Sequence, residues 1–268
     1  MARESQLWVS YGYREESVEQ VASMVGRMFE VLESVGGPLA GPWELVTVTA
    51  DGLDNAGMVT IPIDLAVIQE MVYKCGCGPD GAPDPLGGFY LVFCTARRPG
   101  EDLAWEGVFI VVEANLGSGQ ASGMSISGMR GQAPEQLAAR GRELVAGLAR
   151  ATGADQVTLV SDGRDKYVLN LAHEDWIDSR DDPSAAREYP MWGYMSWLIK
   201  DSVADNVNLP GVTVVDDGPG RILELDTRDP DQAAALWRSM IDDGLIRPLP
   251  MVQKNLPIFD PEILPLAG

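Results

Sequence analysis

One histidine, His173, stands in the whole chain of 268 residues, and there are only three cysteines, Cys75, Cys77 and Cys94. That shortage excludes most metal and nucleophile chemistry at the outset. A structural zinc site needs four ligands, and here every Cys and His would have to converge on one point. Cys75-x-Cys77 also departs from the usual two-residue gap, so the pair reads as idle thiols near a turn, and neither metal nor cofactor is expected. An odd number of cysteines, two of them too close to bridge comfortably, points to reduced thiols and a cytoplasmic setting. His173 is the sole candidate imidazole base, but no G-x-S-x-G elbow accompanies it. It reads as a surface residue, and no catalytic residue is assigned.

Positive charge is scarce as well. Lys and Arg number 20 against 40 Asp and Glu, a net charge of −20. Such a balance opposes a nucleic-acid surface, which is built from Lys and Arg clusters, and it opposes anionic lipid. It leaves a basic protein as the partner that an acidic face would attract, although solubility alone also accounts for acidity. No window approaches 18 uninterrupted apolar residues, so no segment is expected to span a membrane. Met-Ala-Arg-Glu-Ser leads into a strand pattern instead of an apolar segment with a cleavage site, so export by a signal peptide is not expected. Fixed-period repeats and long linkers are missing too, which predicts one domain over residues 1–268.

What is present is organised around Leu7–Trp43. Leu7, Val9, Tyr11 and Tyr13 alternate with Trp8, Ser10 and Gly12 in the period of a strand. Ser17 then offers an N-cap, with Gln20 placed to close a capping box. Val18, Val21, Val25, Met28, Phe29 and Leu32 recur at helical spacing as one apolar stripe, and Gly36-Gly37 supplies a left-handed C-cap. A strand followed by a long amphipathic helix predicts a sheet with a helix lying across it.

The rest of the chain reads as additions to that layer. Glu44–Thr49 is a further strand, and Asp64 caps a short helix marked by Leu65, Ile68, Met71 and Val72. Gly88–Thr95 and Val108–Ala114 are the most apolar strands and are expected to pair antiparallel near the sheet centre. A helix starts at Pro134, with Leu137, Gly141, Leu144, Val145 and Leu148 on one face. Gln156–Val160 and Lys166–Leu171 are short strands. Val212–Val215 and Ile222–Leu225 flank a predicted hairpin turn over Asp216–Gly220. The last helix opens at Asp229-Pro230, turns Ala233, Leu236, Trp237, Met240 and Ile241 inward and closes at Gly244. The proline-rich tail, 247–268, is expected to run extended. The fold class predicted is α+β: a single domain with a mainly antiparallel sheet and amphipathic helices packed on it.

Three constellations compete for function. Gly117-Ser-Gly-Gln-Ala-Ser-Gly123 invites a dinucleotide-binding reading, but its third glycine comes one residue late and the next helix is far off. The segment 117–128 is therefore expected to be a surface loop. With the aromatic patch 192–197 it forms the alternative reading, a small-ligand binder or enzyme. The strip Glu174, Asp175, Trp176, Asp178, Asp181 and Asp182 mixes acid with an aromatic anchor, the composition of a hot spot for a basic partner. An ordinary acidic loop with Trp176 tucked into the core fits the same residues. Asp216 and Asp217 form the next acidic pair, and adjacent acids of this kind are usually solvated.

Several blocks in order carry a resemblance: W-V-S-Y-G-Y-R-E-E-S-V-E-Q-V-A from Trp8, P-L-A-G-P-W to Trp43, M-W-G-Y-M-S-W-L at 191–198, V-V-D-D-G-P-G-R-I-L-E-L at 214–225, and A-A-A-L-W-R-S-M-I-D-D-G-L-I-R-P-L from Ala233. In order and spacing they resemble the immunity protein 52 family of bacterial polymorphic-toxin systems. The resemblance implies an α+β protein without enzymatic activity that binds and neutralises a secreted antibacterial toxin, often a nuclease, in the cytoplasm of the producing cell. An acidic protein suits that role, since a nuclease must present a basic groove to phosphates. The family supplies no catalytic residues to transfer.

Overall fold

Ser17 opens the first helix as its pattern predicts. Its hydroxyl accepts the Gln20 amide at 3.3 Å, while the Gln20 side-chain oxygen accepts the Ser17 amide at 2.7 Å. The computed structural model describes residues 5–10, 17–50, 56–82, 88–95, 109–115, 123–127, 134–161, 193–227 and 229–247. In chain order these form β1 (Ser5–Ser10), α1 (Val18–Val35), β2 (Trp43–Ala50), β3 (Ala56–Ile63), α2 (Ile68–Cys75), β4 (Gly88–Thr95), β5 (Phe109–Asn115) and β6 (Gly123–Ser127). There follow α3 (Pro134–Thr152), β7 (Gln156–Ser161), β8 (Met195–Ile199), β9 (Val212–Asp217), β10 (Gly220–Leu225) and α4 (Pro230–Asp242). The strand expected at Lys166–Leu171 and the tail beyond Arg247 lie outside the described residues.

Among the described residues one sheet of ten strands takes the order β3-β2-β4-β5-β6-β1-β7-β8-β10-β9. All nine pairings are antiparallel, so the α+β class holds. β4 and β5 pair as expected, but β6 and β1 occupy the centre. β6 corrects the reading of 117–128 as a loop. Gly123–Ser127 is a strand between β5 and β1. Met124 and Ile126 alternate with Gly and Ser, too short and too polar a pattern to stand out beside the glycines. β3 was also hidden, because Pro62 interrupts it. As an edge strand it tolerates a residue without a backbone donor.

Alternation along the strands sends residues to two faces, and each face has its own core. On one side Trp43, Phe93, Leu159, Met195, Trp197 and Ile222 meet the buried stripes of α1 and α3. Phe29 sits edge-on to Trp43, with centroids 5.2 Å apart, and to Phe93, at 5.1 Å. On the other side Leu198, Leu223 and Leu225 meet Trp237 and Met240 of α4. The β8–β10–β9 end is thus held between helices on both faces. Gly36 does end α1, but with φ 77° and ψ −164° it is not left-handed helical. It occupies a region open essentially to glycine, and Gly37 already starts a 3-10 turn. Among the described residues no helix is long and apolar enough to cross a membrane.

Candidate functional site

The hairpin of β9 and β10 carries the acidic pair Asp216-Asp217. These residues lie in β9 itself, opposite Arg221 and Gly220, and the turn shrinks to Gly218-Pro219. Gly218, with φ 65°, takes the first central position, where the twist of a two-residue hairpin demands positive φ. The solvated acidic turn expected from sequence is therefore a strand end with fixed partners. Asp216 accepts Lys200 Nζ at 2.7 Å and the Gly218 amide at 3.1 Å. The Lys200 hydrogen bond is the main cause holding its carboxyl below the usual carboxylate range. Asp217 accepts Arg150 Nη1 at 2.9 Å and the indole N–H of buried Trp197 at 2.9 Å.

α3 is tied to this end of the sheet twice. Arg150 reaches Asp217 on β9, and Arg142 reaches Glu224 on β10, with Nη2 2.6 Å from the carboxylate. Behind the hairpin Arg221 is buried and donates to the Val203 carbonyl at 2.6 Å and to Asp205. That contact lowers the Asp205 carboxyl below its ordinary range. Sequence reasoning passed over Arg221, since nothing in R-I-L-E-L distinguishes a buried arginine from an exposed one.

The aromatic patch is interior. Tyr194, Met195, Trp197 and Leu198 are all buried, and Trp192 lies outside the described residues. Gly123–Ser127, from the other half of the small-ligand reading, lies in the sheet as β6. Cys75 is exposed, Cys77 is half-buried with its thiol donating to the Tyr73 carbonyl at 3.2 Å, and Cys94 is buried. No group of His, Cys, Asp and Glu among the described residues is arranged to hold a metal ion.

His173 and the strip Glu174, Asp175, Trp176, Asp178, Asp181 and Asp182 fall outside the described residues. Asp226, Asp231 and Asp242 are exposed and enter no described ion pair. Asp226 also borders a groove of about 480 Å³ lined by Pro210, Gly211, Thr227, Gln232 and Leu236, where the start of β9 meets α4. A second hollow, of about 460 Å³, lies between the start of α1 and the end of α3. Its Arg27 donates to the Ala151 carbonyl at 2.9 Å, and its Arg150 is spent on Asp217, so both cations serve the packing of α3.

Among solved structures, this chain is similar to the Pseudomonas aeruginosa T6SS protein PA0821, with a TM-score of 0.51 and 9% identity over 91% of this chain and 73% of that one. At that identity the likeness concerns the fold. No protein-family model matches the chain, and no curated protein matches it. The resemblance to the immunity protein 52 family rests on the residue blocks alone.

Proposed function

We propose that the protein is an immunity-type factor of a bacterial type VI secretion system, which protects the producing cell by binding a cognate toxin. The observation that carries this reading is the fold shared with a T6SS protein across nine-tenths of this chain. The charge then suggests the means. At −20, the surface repels nucleic acid and lipid and attracts a basic protein such as a nuclease domain. Binding, not catalysis, is the activity proposed, with the strip from Glu174 to Asp182 as the primary contact and the β9 acids as the next.

The test is association with the product of the neighbouring reading frame. A complex is expected, together with rescue of cells that express the toxin. Reversing Glu174, Asp175, Asp178, Asp181 and Asp182 to Lys should slow association about tenfold or more at low salt, because charge complementarity acts mainly on encounter. An unchanged rate with unchanged protection would remove the strip as the contact. Failure to form any complex or to protect would remove the immunity reading itself.

A further inference from the structure

The two edges of the sheet are finished differently. β3 carries exposed Pro62, which cannot donate to an added strand, whereas β9 reads Val-Thr-Val-Val-Asp-Asp with no proline and no bulge. Asp217 and Gly220 flank the two-residue turn and exchange hydrogen bonds across the hairpin. Alternation then turns the N–H and C=O of Val214 and Asp216 away from β10. The phase has an independent check: the Val212 amide, next in that series, bonds outward to the Leu209 carbonyl at 3.1 Å. Among the described residues nothing pairs with the outward groups of Val214 and Asp216.

This edge is also held still. Val212 and Val214 pack on the α4 side and Val215 on the α3 side, while Asp217 is pinned by Arg150 and Trp197. A second copy is a poor occupant, because two molecules of charge −20 repel and Asp216 stands exposed on the edge. Charge complementarity favours a cationic strand instead. Beyond the groove at Gly211, Asp226-Thr-Arg-Asp-Pro-Asp231 carries three acids to one arginine.

We infer that β9 is a docking edge for an extended, lysine- or arginine-bearing segment of a partner protein, which adds to the sheet as a further strand beside β9 with its cations toward Asp226 and Asp231, the acids near α4 that no described ion pair occupies. The inference deepens the toxin-binding reading and rests on it only for the identity of the partner.

The probe is a short blocked peptide alternating lysine and valine, added to the full chain with amide hydrogen exchange as the readout. Val214 and Asp216 amides should slow at least tenfold, and a glutamate–valine peptide should leave them unchanged. Val214→Pro removes one outward donor and no bond to β10, so the hairpin should persist, with some loss of stability from the valine contact on the α4 side, and peptide binding should weaken at least tenfold. Equal binding by V214P, protection at other sites only, or no binding of the lysine–valine peptide would overturn the inference. The exchange measurement on the unaltered chain stands even where V214P folds poorly. Failure here is separable from failure of the immunity reading: a toxin complex that V214P forms undiminished overturns the edge alone.

Discussion

Asp216 and Asp217 are neighbours in the chain with opposite surroundings. Asp216 meets water and one lysine, while Asp217 bridges a helix to an indole that is otherwise buried. Asp217→Ala should therefore cost about 2 kcal/mol in urea unfolding, because it strands the Trp197 N–H and releases Arg150. Asp216→Asn should leave the urea midpoint nearly unchanged, since an exposed ion pair contributes little. Acid should act on the second residue in a defined sense. The folded-state pKa of Asp216 lies below its ordinary value, so its contribution is present above the normal carboxylate range and is lost as pH falls through the folded value. Protection of the Gly218 amide relative to its intrinsic exchange rate should fall over that window in the parent and not in D216N. The acidity of the pair was plain from sequence. Its neutralisation was not, because Lys200 lies 16 positions away and Arg150 lies 67 from Asp217, and only the fold brings them together.

Elements with strong local punctuation were legible. The Ser17 box and the Asp229-Pro230 start both formed, with Asp229 accepting the Asp231 and Gln232 amides at 3.0 Å. β3 and β6 were not legible, since a strand whose neighbours supply its order need not advertise itself in its own residues. The same dependence makes one glycine critical. A Cβ on Gly220 would come within 2.2 Å of the Trp197 ring and 2.7 Å of the Leu198 carbonyl, neither of which can swing away. Gly220→Ala should lower stability by about 3 kcal/mol, at the upper end of overpacking costs. Gly218→Asn, two residues earlier and open to solvent, should cost under about 1 kcal/mol, since asparagine accepts positive φ. Paired urea titrations would separate a packing fault from a turn fault.

At the scale of the molecule, acidity and edge design work in the same direction, keeping copies apart while leaving one strand receptive to the opposite charge. The central position of β1 has a different consequence, which belongs to synthesis. β1 is closed by β6 and β7, whose residues begin more than a hundred positions later in the chain. At ordinary translation speeds β1 waits on the order of ten seconds for its two neighbours, whereas the stripe of α1 meets Trp43 and Phe93 sooner. Ribosome-stalled chains that end before Gly123 should be cleaved readily within residues 5–10, and chains that have released residues through Ser161 should resist there. Chains stopped short on the ribosome thus expose a sticky N-terminal segment. The centre of the sheet is thus complete only once Ser161 has been made, so whatever this fold binds through its finished sheet must wait for that point in each round of synthesis.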